Sequence, residues 1–173
     1  EELSRRTGKI LKVDFVEGDI QNLPYKDEFD LVFNEGVIEH WPDKKTRLNA
    51  IYQMIKSTKP SGKVIIWVPN KKNPFYWIYK RIGSFKPPVD ESLFTPEELQ
   101  DLMIEAGLEK VKVIGFQAYL SPFYLSPKFI NRLKPLAVLP WLIGKIIPSK
   151  LKRVLSLKYS FEICGIGRKP DKS

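Results

Sequence analysis

Residues 29–42 read Phe-Asp-Leu-Val-Phe-Asn-Glu-Gly-Val-Ile-Glu-His-Trp-Pro. Phe29–Phe33 is a short apolar run bounded by turn signals, and its uninterrupted Leu31-Val32-Phe33 predicts a strand buried on both faces, as in a parallel sheet. Asn34 and Glu35 then fall at the carboxyl end of that strand, where ligands bind in doubly wound sheets. Working outward to the amino end, the charged Lys26-Asp27-Glu28 and Asn22-Leu23-Pro24 form a surface turn. Val13–Val16 alternates apolar and polar residues, and Glu17-Gly18-Asp19 closes it, which predicts another strand. Leu3–Arg6 followed by Thr7-Gly8 reads as the end of a helix stopped by glycine.

Toward the carboxyl end, Asp43–Lys59 has the spacing of a helix. Leu48, Ile51, Tyr52 and Ile55 form its apolar stripe, Asp43 is its N-cap, and Lys59-Pro60-Ser61-Gly62 ends it. Lys63–Val68 reads as a buried strand stopped by Pro69. Thr95-Pro96-Glu97-Glu98 opens a second helix with a capping box, and Gly107 stops that helix after Ala106. Val111–Phe116 and residues 160–168 read as further strands. This order predicts an α/β fold with a mostly parallel sheet. Two segments interrupt it: residues 70–94, rich in aromatics and proline, and residues 117–158, apolar, basic and proline-containing. Insertions at strand ends of such a fold usually build the substrate side of a site, here a cap over it.

With 173 residues, 43% hydrophobic and 28% charged, the chain can bury a core and is neither disordered nor collagenous. Cys164 is the single cysteine, so no internal disulfide forms, and with His40 the single histidine there is no zinc cluster of His and Cys. No apolar run is long enough to span a bilayer and no signal-peptide pattern is present, so a cytoplasmic protein is expected. The first residue is Glu, not Met, which raises the expectation that the chain starts inside a longer protein. The net charge of +9 is uneven: residues 1–118 carry 18 Lys+Arg and 18 Asp+Glu, whereas residues 119–173 carry 11 Lys+Arg against Glu162 and Asp171 alone. The question is therefore what one basic segment touches, not what a basic protein binds.

Four segments occur together in one order: Val-Glu-Gly-Asp-Ile-Gln-Asn-Leu-Pro at 16–24, the stretch at 29–42, Lys-Pro-Ser-Gly-Lys-Val-Ile-Ile at 59–66, and Phe-Thr-Pro-Glu-Glu-Leu at 94–99. Together they resemble the class I S-adenosylmethionine-dependent methyltransferases, and most closely the small-molecule branch that includes ubiquinone and menaquinone biosynthesis enzymes. The resemblance covers residues 1–116, with 160–168 as the family's final antiparallel strand. It implies an incomplete doubly wound, Rossmann-like methyltransferase sheet, taken from the family order 3-2-1-4-5-7-6. The family's glycine-rich loop and its ribose-binding carboxylate precede the segment at which this chain starts. Residues 1–173 are thus expected to be a partial methyltransferase domain, its carboxyl-terminal two-thirds, with exposed strand edges.

The resemblance also implies site residues. The Asp19 carboxylate would accept from the adenine amine, and Ile20 would offer a backbone N–H and an apolar wall; on spacing alone Asp19 reads equally well as a turn or cap residue. Asn34 would present its backbone to the methionine moiety and Glu35 would lie beside the site of transfer; otherwise the pair merely caps the next helix. His40, next to Glu39, is the candidate proton acceptor, since imidazole titrates near neutral pH. Some relatives bind a divalent metal through Glu-x-x-Glu-His, but here Gly36 replaces the first Glu and no second His exists, so no metal is expected. Methyl transfer from a sulfonium is an in-line displacement, and it needs a base only when the nucleophile must lose a proton. Tyr76, Trp77 and Tyr79, with Phe75, could line an acceptor pocket or form ordinary core under a lid. Cys164 reads as a small buried apolar residue.

Residues 119–158 hold eight Lys+Arg and no acid, interleaved with Phe123, Tyr124, Phe129, Trp141 and several Leu and Ile. This suits a segment lying at an anionic membrane surface or a lipidic substrate, and equally a helical lid with a basic rim. Nucleic acid is the weaker alternative, for the segment has no recognised reading motif and its prolines break a recognition helix. The expected function is methyl transfer from S-adenosylmethionine to a small-molecule or lipid-like acceptor, with peripheral membrane contact. The rivals are a non-catalytic remnant that binds a membrane or partner through 119–158, and an RNA methyltransferase. The sequence sets no oligomeric state.

Overall fold

A computed structural model describes residues 8, 12–74, 91–116 and 148–171. The predicted helix end at 3–8 therefore lies almost wholly outside the described residues, as do Tyr76, Trp77, Tyr79 and positions 117–147. The described elements are β1 (Phe29–Glu35), α1 (Lys44–Ser57), β2 (Thr58–Pro69), α2 (Pro96–Glu105), β3 (Glu109–Phe116), α3 (Ser149–Tyr159) and β4 (Glu162–Arg168). Two short 3-10 turns, Ile20–Asn22 and Ile38–His40, flank β1.

Local rules account for the helix ends. The Asp43 carboxylate accepts from the Thr46 N–H at 2.7 Å and caps α1. At its other end the Thr58 hydroxyl donates to the Met54 carbonyl at 2.8 Å, and β2 follows without a loop. Thr95 and Glu98 form the predicted reciprocal capping box of α2, with Pro96 in its first turn. Gly107 leaves α2 at a φ of +100°, a region open to glycine.

The four strands form one sheet in the order β1-β2-β4-β3. β1 and β2 are parallel, with Phe33 opposite Ile65 and Glu35 opposite Trp67. β4 runs antiparallel between β2 and β3, so that Cys164 lies opposite both Trp67 and Ile114. Three strands thus share a direction and one opposes them. This is the 4-5-7-6 half of the expected order, with the final strand inserted as foreseen.

The register puts all three helices on one face. Asn34, Ile66, Gly165 and Val113 are partners across the sheet and project to the same side. On that side the Asn34 amide meets Met54 of α1 at 3.2 Å. A Cβ on Gly165 would stand 2.3 Å from Met103 Sδ of α2, and one on Gly115 would stand 2.1 Å from the Ser156 carbonyl of α3. Only glycine lets these helices lie so close to the sheet. Between them Ile51, Met54, Val64, Ile66, Leu99, Met103 and Ile163 are buried completely or nearly so, each such side chain contributing roughly 1.5–3 kcal/mol relative to exposure.

The opposite face differs from the expectation. Leu31 and Phe33 project there, 48% and 63% exposed, with Trp67 set edge-on to Phe33 at 6.0 Å. The Leu31-Val32-Phe33 run is therefore buried on one side only, because no described element covers the other. The predicted strand at Val13–Val16 is a correction too: those residues form no ladder, and Phe15 is 95% exposed. In the expected order two strands separate that segment from β1, so it has no backbone partner within reach, and an unpaired strand is not stable. Finally, Tyr52 is 58% exposed, and Ala50 and Met54 replace it in the buried stripe of α1. Tyr52 lies at the margin of an apolar arc centred between Ile51 and Met54.

Candidate active site

The carboxyl ends of β1 and β2 and the amino end of β4 meet at one rim of the sheet. β1 ends in Asn34 and Glu35, and the chain turns at Gly36, whose φ of +70° excludes most other residues. The turn lets Ile38 bury completely and carries Glu39 inside with it, at 3% exposure. The Glu39 carbonyl accepts from the Ser92 N–H at 2.9 Å. Arg47 of α1 locks this loop: it donates to the Trp41 carbonyl and the Ser92 hydroxyl, both at 2.6 Å, and lies 4.9 Å over the Phe94 ring.

Across the rim, Asn70 follows β2. Its side-chain amide donates toward the carbonyls of Leu157 and Ser160, both at 3.0 Å, and its oxygen accepts from the Lys72 N–H at 3.0 Å. Its own N–H donates to the Phe161 carbonyl at 3.0 Å. Asn70 is completely buried and ties the α3–β4 junction to the end of β2. That places Glu162, the first residue of β4, opposite Pro69 at the same rim. By alternation Glu162 and Glu35 project from the face opposite the helices, whereas Asn34 projects toward α1.

Several buried oxygens and one nitrogen here lack partners: Asn34 Oδ1, Glu39 Oε2, His40 Nδ1 and Glu162 Oε2. Burial pushes the Glu39 carboxyl above its usual range, partly offset by its own backbone N–H and by His40, and Glu91 pushes it further up. Burial also raises Glu162, with Glu35 and Glu39 adding to the shift. The Cys164 thiol is pushed up to about 11, chiefly by burial and then by Glu162, and the residue is inert core as expected.

The predicted residues are thus partly united. Asn34 and Glu35 end β1 and His40 lies in the turn that follows it. Asp19 and Ile20 lie at the same end of the sheet, because Gln21 donates to the Thr46 carbonyl at 3.2 Å and Asn49 donates back to Gln21 at 2.8 and 3.0 Å. Asp19 is exposed, and one carboxylate oxygen accepts from the Gln21 N–H at 2.9 Å, capping its own turn; Ile20 packs partly against the core. Sequence reasoning missed Arg47, Asn70 and Glu162 as site builders. Glu162 carried a signal: it is one of two acids in the basic last third of the chain. Among the described residues no group of three or more His, Cys, Asp or Glu is placed to hold a metal ion, and no helix is long and apolar enough to cross a membrane.

Residues 1–66 match a protein family described as a methyltransferase domain. A human relative named "Probable tRNA methyltransferase 9B" is 40% identical over 55 residues, which make up 30% of this chain and 12% of the relative. The chain thus spans 12% of the length of the curated relatives it matches. Among solved structures, a SAM-dependent methyltransferase from Thermotoga maritima, titled a possible histamine N-methyltransferase, superposes with a TM-score of 0.58 at 20% identity, covering 97% of this chain and 68% of that one. A SAM-dependent methyltransferase from Archaeoglobus fulgidus gives 0.56 at 19% identity, covering 89% and 66%. At these identities the likeness is one of fold, and that fold is the Rossmann-like α/β methyltransferase sheet.

Proposed function

We propose that this chain supplies the acceptor side, and part of the cofactor side, of an enzyme that moves a methyl group from S-adenosylmethionine to a small or lipid-like acceptor. The observation that carries this is the strand order β1-β2-β4-β3 with β4 reversed, joined to the methyltransferase-domain match over residues 1–66. The residues fit the cofactor in the character of their free groups. The ligand brings an ammonium, a sulfonium and an adenine amine, and the rim offers unpartnered acceptors and negative charge. Asp19 and Ile20 would hold the adenine, and Asn34 and Glu35 the methionine end. When bound, the cofactor supplies an electrophilic methyl on sulfur. The chain's own part is to orient the acceptor, exclude water and, through His40, accept a proton where the nucleophile carries one.

Calorimetric titration of the protein with S-adenosylhomocysteine tests this reading. Asp19→Ala should weaken binding roughly tenfold, about 1.4 kcal/mol. Unchanged affinity in the Asp19→Ala protein would remove the adenine placement, and absence of binding by the full-length protein that also carries the glycine-rich loop would remove the reading itself. Placement within the ubiquinone-like branch is a finer proposal that rests on the sequence resemblance of residues 16–24, 29–42, 59–66 and 94–99.

RNA is the second acceptor class, favoured by the name of the human relative and by the basic run at 119–158. Filter binding of bulk tRNA at low and moderate salt should then show affinity that falls steeply with salt. Peripheral contact with an anionic membrane also belongs to the proposal, because α3 exposes Leu151 and Val154. Flotation with anionic vesicles checks it, and no binding at low salt would discard it.

A further inference from the structure

A chain with nine excess positive charges keeps a group of carboxylates at the rim of its sheet. Glu39 is nine-tenths buried and more, and nothing donates to its Oε2. Glu162 Oε2 is buried in the same condition, and the fields of Glu35 and Glu39 both reach it. The lysines and arginine described at this end of the sheet are committed elsewhere: Lys44 to Glu105, Lys71 to Glu98, Lys72 to Glu97, and Arg47 to Trp41, Ser92 and Phe94; His40 adjoins Glu39, but its buried Nδ1 has no partner and so does not donate to the carboxylate. Buried carboxylate oxygens without donors are expensive and rare in folded proteins, so a group that persists this way points to a missing donor. Water could serve one lone pair, but it would leave the like charges of the three carboxylates uncompensated.

We propose that Glu39 and Glu162, with Glu35 at the margin, form a subsite for a cationic amine group of the methyl acceptor. An ammonium brings three N–H donors and one positive charge to carboxylates that, when ionised, can only accept. The arrangement suits an organic cation rather than a metal ion, since no three ligating side chains of the described residues converge on one point. Glu35 and Glu162 project from the sheet face opposite the helices, so the acceptor would approach from the side where Phe33 and Trp67 lie. This inference rests on the methyl-transfer reading and narrows its acceptor from small or lipid-like to one that carries a positive charge.

The test uses three probes of one shape at neutral pH: 2-phenylethylamine, 2-phenylethanol and 3-phenylpropionate. Binding is followed by NMR titration of the protein, with and without S-adenosylhomocysteine. The amine should bind at least tenfold more tightly than the alcohol, and the carboxylate should not bind. Glu39→Gln and Glu162→Gln should each weaken the amine about tenfold and leave the alcohol unchanged. If either variant fails to fold, the other carries the comparison, together with the ranking of the probes on the native protein. Equal binding of amine and alcohol, binding of none, or an unchanged amine affinity in the folded variants overturns the subsite. The S-adenosylhomocysteine titration is read separately: its failure in the full-length protein counts against methyl transfer, whereas the amine-to-alcohol ratio reports on the subsite alone.

Discussion

Asn70→Asp changes one donor group into an acceptor with almost no change in shape. In the native protein the Asn70 amide serves the carbonyls of Leu157 and Ser160, each at 3.0 Å, inside a site closed to solvent. A carboxylate there would leave both carbonyls without their donor and would place a negative charge against them. Each buried group left unsatisfied costs about 1–3 kcal/mol, so the loss of stability should be about 4 kcal/mol at neutral pH. Burial should raise the folded-state pKa of the new carboxyl. Stability then falls as pH rises through the interval between the unfolded and folded pKa values, and the deficit should shrink on acidification as a protonated carboxyl regains one donor. Asn70→Ala lacks the titrating group, and its deficit of about 3 kcal/mol should not follow pH in this way. Urea unfolding monitored by tryptophan fluorescence, at several pH values from 4.5 to 8, reads both variants. An Asn70→Asp protein within about 0.5 kcal/mol of the native one, or one that tracks Asn70→Ala at every pH, would refute the assignment of Asn70 as the staple between β2 and the α3–β4 junction.

Thr95→Ala should cost about 1 kcal/mol, because it removes one half of the capping box of α2; urea midpoints at constant slope measure it. Cys164 should resist thiol reagents in the native protein and react at once in denaturant, since its thiol is buried and pushed up to about 11; fast labelling under native conditions would contradict its placement opposite Trp67. The raised pKa of Glu39 means that the folded state loses stability as pH rises from the ordinary carboxyl range through the folded value. Glu39→Gln should therefore gain stability relative to the native protein above that interval and not below it, which thermal melts across pH would show.

The parts of the fold ruled by neighbours in sequence could be read in advance. Asp43 and Thr95 cap their helices through N–H groups three residues on, so composition and spacing suffice to find them. The position of β4 between β2 and β3 came only through the family resemblance, for nothing local in residues 162–168 tells which strands flank them. The burial of β1 was misjudged because an apolar run shows that two faces can be covered, not that they are. Val13–Val16 failed for a related reason: alternation marks a chain able to join a sheet, and joining depends on a partner backbone. Asn34, Glu35 and His40 fell together because one strand end and one turn carry them. Asn70 and Glu162 were not seen as site builders, since their roles arise from contacts with residues far along the chain, such as the reach of Asn70 to Leu157.

The bare side of the sheet has a consequence for handling. Among the described residues β1 is an outermost strand, so one row of its backbone N–H and C=O groups has no ladder partner there, and Leu31 and Phe33 stand exposed beside it. Such an edge templates the addition of further chains, and what holds molecules apart is the net charge of +9. Repulsion of that kind extends about 30 Å at 0.01 M salt and about 8 Å at physiological ionic strength. Colloidal behaviour is then a contest between a short-range adhesive strip and a screened long-range field, in which added salt favours precipitation. For this molecule the ionic strength of the buffer is a structural variable, to be fixed before any stability or affinity is compared.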